Sequence, residues 1–161
     1  MASRKTKIIQ KIMMQTMKNK SGFAVIDHTA DVGLKFWGNS FSDVLINAAR
    51  GMFSLIVDRR TIKPKEQKCF KIKGKDYEEV AINWLRELNF VHQNNLFLFK
   101  EFDIENVSKN KKRIGVSAIA KGESIDLNRH FIKIDIKLVT YHKFYVKKIN
   151  DIWEGNVIFD I

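Results

Sequence analysis

The chain has 161 residues, a net charge of +11, 45% hydrophobic residues and one cysteine, Cys69. This length suits one domain with a buried core, and a single cysteine excludes an internal disulfide, as in proteins of reducing compartments. No run approaches the ~18 apolar residues of a membrane span, and no secretory apolar region is present. We therefore expect a cytoplasmic protein without membrane contact, or a nuclear or organellar one if its source is eukaryotic.

Residues 1–22 predict a basic extension that is separate from the body. Residues 1–20 hold six basic and no acidic residues, so residues 21–161 keep +5 of the net charge of +11. Apolar residues between Ile8 and Met17 recur at helical spacing. Three interpretations stay open: a loosely docked tail, a helix for a partner or a membrane surface, and an organelle presequence.

The body, residues 23–161, predicts two helices and at least six strands. Ser40 and Asp76 have the residue type of helix caps, and each is followed three residues later by an acid. The first helix is expected to end near Val57, and the second at residues 93–95, where an asparagine would adopt the left-handed turn. The predicted strands cover residues 23–26, 32–37, 68–73, 96–104, 113–121, 131–148 and 152–161. This order predicts a single α+β domain with a largely antiparallel sheet packed with two main helices.

Apart from the acidic residues, the chain has few side chains suited to catalysis or to metal binding. No phosphate-binding glycine loop is present, and the four histidines lack the spacing of zinc ligands. We expect Cys69 to be a buried structural thiol. His142 shares the strand parity of Thr140, which predicts a buried, hydrogen-bonded histidine.

Acidic residues near both ends of the body are more informative. Asp27 and Asp31 flank His28 in a corner between two predicted strands, where turn chemistry alone would explain them. Asp160 follows the apolar run 157–159, which predicts a packed terminal strand. If the fold joins these regions, Asp31, Asp160 and the terminal carboxylate of Ile161 form an oxygen-rich site for calcium, magnesium or manganese.

Lysines form two further groups in the body. Lys71, Lys73 and Lys75 alternate along one predicted strand, and the run 109–113 holds four more basic residues. Such residues would form positive patches for RNA or for an acidic partner surface. The alternative is that they serve only solubility. Lys137 lies on the polar side of an alternating run, in which Ile132, Ile134, Ile136 and Leu138 are expected to face one way.

Several motifs, taken in order, resemble the archease family over residues 23–161. The opening motif is His28-Thr29-Ala30-Asp31-Val32-Gly33, and Trp84-Leu85-Arg86-Glu87-Leu88 matches the second helix of that family. Gly122-Glu123, Asp126 and Arg129-His130 resemble its central loop. Lys137-Leu138-Val139-Thr140-Tyr141-His142 and the terminal Phe159-Asp160-Ile161 resemble its closing signature. Asn39 and Leu127-Asn128 depart from the family pattern in loop positions.

The resemblance implies an accessory protein that is not itself an enzyme. Archeases assist RtcB-type RNA ligases in tRNA splicing and RNA repair, promoting guanylylation of the ligase and multiple turnover, with RNA met through the ligase. The family's divalent-metal ligands correspond to Asp31, Asp160 and Ile161, with calcium the first expectation and magnesium or manganese as alternatives. Its functional lysine corresponds to Lys137, and Asp27, His28 and His142 are expected to serve function or partner contact. The oligomeric state stays open.

Two other functions remain compatible with the residues. A small basic module would bind RNA directly and would depend on salt. A metal-dependent hydrolase using Asp27, His28 and Asp31 would turn over a substrate by itself.

Overall fold

The structure, a computed structural model, describes residues 3–9, 21–27 and 30–161, without the side chain of Asp27. Residues 4–9 are helical and exposed. Most of the expected N-terminal extension and His28 lie outside the described residues. No helix in the described ranges is long and apolar enough to cross a membrane.

The first sheet has four antiparallel strands and joins both ends of the body. Its order is β1 (Gly22–Asp27), β2 (Asp31–Gly38), β7 (Ile152–Asp160) and β6 (Leu138–Ile149). The chain's last strand therefore lies between β2 and β6 and is hydrogen-bonded on both edges. This central position explains why the apolar run 157–159 is buried.

The second sheet has three antiparallel strands from the middle of the chain. Its order is β3 (Glu66–Gly74), β5 (Ile114–Ser124) and β4 (Phe97–Lys109). The predicted α+β class with antiparallel pairing is confirmed, with seven strands divided between two sheets.

Both long helices begin where the sequence predicts. They are α1 (Phe41–Ile56) and α2 (Tyr77–Asn95), and a 3₁₀ turn covers Arg59–Thr61. The Ser40 hydroxyl accepts from the Asp43 N–H at 3.1 Å, and the Asp76 carboxylate accepts from the Glu79 N–H at 2.8 Å. Each cap satisfies a backbone donor that the first helical turn leaves without a partner.

The end of α2 differs from the prediction in one residue. Leu96, and not an asparagine, adopts the left-handed conformation, with φ of 50°. Its N–H bonds the His92 carbonyl, and Phe97 directly after it is buried as the first residue of β4. Burial of the strand that follows therefore decides where the chain reverses.

A single apolar core joins the helices to both sheets. The Trp84 indole N–H donates to the Leu45 carbonyl at 3.0 Å and links the two helices. The rings of Phe53, Phe99 and Phe102 pack together, with their centroids at most 6.3 Å apart. Since the helices contact both sheets, the body forms one domain around this core.

The strand predicted over residues 131–148 is wrong in its first half and in its parity. Residues 131–137 form no ladder except an isolated bridge between Val57 and Ile132. Leu138 is exposed and Val139 is buried, so the alternation shifts by one residue after Ile136. The Ile136 carbonyl is bonded by helix side chains, whereas Val139 pairs with buried Phe159, which accounts for the shift.

Two expectations of burial are also wrong. Residues 141–144 bulge out of β6 opposite the single residue Val157, and Lys143 has φ of 54°. This bulge breaks the parity that predicted a buried His142, and the histidine is exposed. Cys69 is exposed because Phe70 and Ile72 occupy the core face of β3, which places Cys69 on the outer face.

Candidate functional site

The first candidate site lies where β2 begins and β7 ends. Asp31 is directly opposite Asp160 in the antiparallel register. Side chains at opposed positions share one face of the sheet, with Cβ atoms about 4.5–5.5 Å apart. Asp31 is half-buried and Asp160 is exposed. The fold thus brings together two carboxylates that are 129 positions apart in the printed sequence.

The chemistry of this pair suits a hard divalent cation. Like charges directly opposite each other in a sheet destabilise it, and a bound cation offsets that repulsion. Within the described ranges, no three side chains of His, Cys, Asp or Glu are grouped to hold a metal ion. Asp31 and Asp160 place two carboxylate side chains here, and Ile161, the residue after Asp160, is exposed. Carboxylate oxygens are ligands that hard cations prefer.

Lys137 lies at the same end of the sheet. Its backbone N–H donates to the Asp160 carbonyl at 2.8 Å, and the next residue, Leu138, is opposite Asp160 in the register. The side chain of Lys137 is exposed. One end of the four-stranded sheet therefore holds two carboxylates and one exposed ammonium group.

Polar side chains of α2 position the backbone on both sides of Lys137. Asn89 and Gln93 both donate to the Ile136 carbonyl, at 2.9 and 2.5 Å. Arg86 donates through Nε and Nη2 to the Val139 carbonyl, each at 3.2 Å. Sequence reasoning missed this role, although Arg86 belongs to a quoted motif. A polar residue at every third or fourth position of the helix, from 86 to 93, was the available signal.

The predicted site residues Asp27 and His142 lie near this end of the sheet at different positions. Asp27 is opposite Val32, the residue next to Asp31. His142 lies in the β6 bulge, opposite Val157 and so three residues from Asp160 along β7. The Arg86 guanidinium lies 4.7 Å from the centre of the neighbouring Tyr141 ring.

A second cluster, of buried charged residues, surrounds Glu123 near the end of β5. The carboxylate of Glu123 accepts from both terminal nitrogens of Arg129 and from the Lys63 N–H. These bonds, led by the one from Arg129, lower the pKa of Glu123 to about 2, against the effect of its burial. The same pairing raises the pKa of Arg129.

His130 completes the cluster with a defined hydrogen-bonding role. Its Nδ1 is 2.9 Å from the Asp126 backbone N–H, which always donates, so Nδ1 accepts. The proton of a neutral ring is then on Nε2, which lies 3.2 Å from the Thr61 carbonyl. Arg129 also donates to that carbonyl, at 2.8 Å. The cluster therefore ties the 3₁₀ turn to the loop after β5 and has a structural role.

A cavity of about 600 Å³ lies on the other side of that loop. Its walls include His92, Leu96, Ile125, Leu127 and Asp135. Burial lowers the pKa of His92, whose Nδ1 is 2.9 Å from the Phe97 carbonyl. Its lining includes Gln93, which also bonds the Ile136 carbonyl, but neither Asp31 nor Asp160.

Comparisons with known proteins agree on one family. The model of the Archease protein family (MTH1598/TM1083) matches residues 23–161. A "Protein archease" of Methanopyrus kandleri is 32% identical over 136 residues, which cover 84% of this chain and 96% of that protein. One of Methanosarcina barkeri is 31% identical over 139 residues, covering 86% and 95%.

Solved structures support the same fold. The solution structure of Methanobacterium thermoautotrophicum protein 1598 superposes with a TM-score of 0.78 at 28% identity, covering 87% of this chain and 99% of that chain. The crystal structure of an archease from Thermotoga maritima has a TM-score of 0.53 at 19% identity, covering 84% and 94%.

Proposed function

Since the chain belongs to the archease family, we propose that it is a non-catalytic accessory protein of an RtcB-type RNA ligase. In this role it promotes guanylylation of the ligase and multiple turnover in tRNA splicing and RNA repair. The observation that carries the proposal is the pairing of Asp31 with Asp160 at one end of the two inner strands of the sheet. The exposed, unpaired thiol of Cys69 agrees with a reducing compartment such as the cytoplasm.

The geometry at this end of the sheet favours supplying charge to a partner protein over catalysis by this protein alone. Asp160 and the side chain of Lys137 are exposed to solvent. Electrostatic catalysis is stronger in sites from which water is excluded. An exposed site gains that benefit only when another protein covers it. We propose that Asp31, Asp160 and Ile161 hold a divalent cation, which supplies positive charge for phosphate chemistry in the ligase.

Lys137 has a separate task in this proposal. Its ammonium group is free to contact an anionic group, since no ion pair joins it to another described residue. Its backbone is fixed by the Asp160 carbonyl and by the helix side chains that bond Ile136. It would therefore neutralise a phosphate of the nucleotide or a carboxylate of the ligase. Asp27, His28 and His142 are proposed as partner contacts.

Ligation of RNA over many turnovers tests the proposal. A cognate ligase at substoichiometric concentration is mixed with RNA, GTP and the wild-type protein, and product per ligase is followed. We expect Asp31→Ala, Asp160→Ala and Lys137→Ala each to lower the stimulated rate by about tenfold or more, as loss of metal-site groups does elsewhere.

Matched controls separate the site from general charge effects. Asp151→Ala removes a fully exposed acid at the β6–β7 turn, and Lys121→Ala removes an exposed lysine on the other sheet. Both should stimulate as the wild type does. Full stimulation by all three site variants would refute the assignment, and RNA turnover by the protein alone would instead support the hydrolase.

Metal binding gives a second prediction, which is independent of the ligase. Calorimetric titration with Ca²⁺ or Mn²⁺ should show that Asp31→Asn weakens binding by about tenfold or more, because a charged ligand is lost. Two glycines appended after Ile161 should weaken it similarly, since they move the terminal carboxylate away from Asp160. Without metal, Asp31→Asn should raise stability by up to about 1 kcal/mol, because it removes the repulsion across the ladder. Unchanged affinity in the extended protein would reject Ile161 as a ligand.

A further inference from the structure

The two lysine groups noted in the sequence meet at one end of the three-stranded sheet. Gly74, Ile114 and Lys109 form one row across β3, β5 and β4, which places the β4–β5 turn beside the end of β3. Seven basic residues surround this end of the sheet and form what we name the basic hairpin patch: Lys71, Lys73, Lys75, Lys109, Lys111, Lys112 and Arg113. Lys109 is opposite the buried Ile114 and lies on the helix-packed face, whereas Lys71 and Lys73 lie on the outer face. All seven side chains are exposed.

The strand residues of the patch have a regular spacing. Lys71 and Lys73 lie on the outer face of β3, about 6.6 Å apart at 3.3 Å per residue. Their neighbours across the sheet are small, Ser117 beside Lys71 and Gly115 beside Lys73. Both ammonium groups are therefore unobstructed and follow a line, like the successive phosphates of an extended nucleic acid strand.

The turn residues of the patch are held by a hydrogen-bonded loop. The Asn110 side-chain oxygen accepts from the N–H groups of Lys112 and Arg113, both at 2.9 Å. The Asn110 N–H in turn donates to the Arg113 carbonyl at 3.0 Å. Since the backbone of this turn is already ordered, ligand binding here would cost the entropy of ordering the side chains but not that of ordering the loop.

The cations of the patch form no ion pair within the described part of the chain. No ion pair found there involves any of the seven cations. Asp76 and Glu79, which follow the patch in sequence, accept from backbone N–H groups at the start of α2. Seven cations in one place exceed the net charge of +5 of residues 21–161, so the rest of the body is slightly acidic. A local field of this kind attracts polyanions.

The patch lies away from the end of the sheet that holds Asp31 and Asp160. The Lys109 ammonium lies 5.3 Å from the centre of the Tyr77 ring, which packs on Trp153 at 4.8 Å. Trp153 is opposite Gly38, at the far end of β2 from Asp31. An eight-residue strand places these ends about 23 Å apart.

We propose that the basic hairpin patch binds the phosphate backbone of RNA directly, which goes beyond the proposed ligase role and does not depend on it. RNA suits the patch better than an acidic protein, because protein interfaces rely on apolar or aromatic anchors. The exposed large apolar residues of the described chain lie elsewhere, at positions such as Phe90, Leu127 and Phe131. The patch supplies charge without such anchors, so it recognises backbone and not sequence.

Fluorescence anisotropy of the full chain with a labelled single-stranded RNA tests this proposal over a salt series. The hairpin variant replaces Lys109, Lys111, Lys112 and Arg113 by glutamine. Each lost phosphate contact should reduce the slope of log affinity against log salt by about 0.7, so a reduction of about 3 is expected. Affinity at low salt should fall by about tenfold or more.

A charge-matched control makes this result specific. The control replaces Lys35, Lys63, Lys65 and Lys121, all exposed and outside the patch, by glutamine. Equal losses in the control and hairpin variants would overturn the proposal, since net charge alone would then explain binding. Equal competition by polyglutamate of matched charge would overturn it in favour of an acidic protein partner. Asp31→Ala should bind RNA as the wild type does, which keeps this test separate from the ligase assay.

Discussion

Replacing Glu123 by alanine is expected to lower the Tm of this protein by about 5–10 °C, which corresponds to about 2–3 kcal/mol for a chain of this size. The carboxylate is buried and accepts from Arg129 and from the Lys63 N–H, so its removal takes this acceptor away from both donors. Removing one member of a buried pair costs more than the pair's net stabilisation, because desolvation of the remaining group is no longer offset.

The pH dependence of stability gives the same cluster a second readout. The pKa of Glu123 is about 2 in the folded protein and about 4.5 in the unfolded chain. A lowered folded-state pKa means that this carboxylate stabilises the fold fully above pH 4.5 and loses its contribution as the pH falls from 4.5 towards 2. Glu123→Gln should therefore flatten the acid limb of Tm against pH in that window.

Asp58 is the matched control for both measurements. Its pKa is also lowered to about 2, mainly by a hydrogen bond from the Arg60 side chain, but this pair is exposed. Solvent screens such pairs, so Asp58→Asn, which keeps the capping oxygen, should change the Tm by little. A Glu123→Ala variant as stable as Asp58→Asn would contradict a structural role for the buried cluster.

Replacing Gly122 by alanine is the second substitution with a large expected effect. A Cβ atom at this position would lie 1.8 Å from the Leu98 carbonyl oxygen and 2.9 Å from the Phe99 Cα. The obstacles are backbone atoms of β4, beside a register irregularity between Phe99 and Glu101, so the two strands must separate. We expect a loss of about 3 kcal/mol, measured as the free energy of unfolding in urea.

Gly115→Ala in the same strand is the control for this prediction. A Cβ there would meet the Ser108 hydroxyl at 3.0 Å, which can rotate away, and the Ile72 carbonyl oxygen at an ordinary contact distance of 4.0 Å. This variant should lose under about 1 kcal/mol, in line with ordinary surface substitutions. Similar losses at both glycines would show that strand propensity, and not close approach of the backbones, explains the effect at Gly122.

Local signals in the sequence predicted most of the elements. The caps Ser40 and Asp76 act on amides within three residues, so their helices could be placed without knowledge of the fold. Alternation likewise identified β2, and the apolar run 157–159 identified the buried terminal strand β7. Such patterns are visible because each depends on neighbours along the chain.

Errors arose where distant contacts decide the conformation. The β6 bulge exposes His142, although its position in the sequence has the parity of a buried residue. Side chains of α2 bond the Ile136 carbonyl, and the observed strand begins only after it, at Leu138. Cys69 was assigned to the core, but the strand face is set by Phe70 and Ile72.

By itself, the sequence determined the α+β class, the two helices, the motif order that identifies the archease family, and the candidate residues Asp31, Asp160 and Lys137. Only the tertiary structure decided that Asp31 is opposite Asp160, that Glu123 is buried against Arg129, and that two lysine groups form one patch. The physical reason is distance along the chain, because pairing register and burial depend on residues far apart in sequence, which local periodicity does not encode.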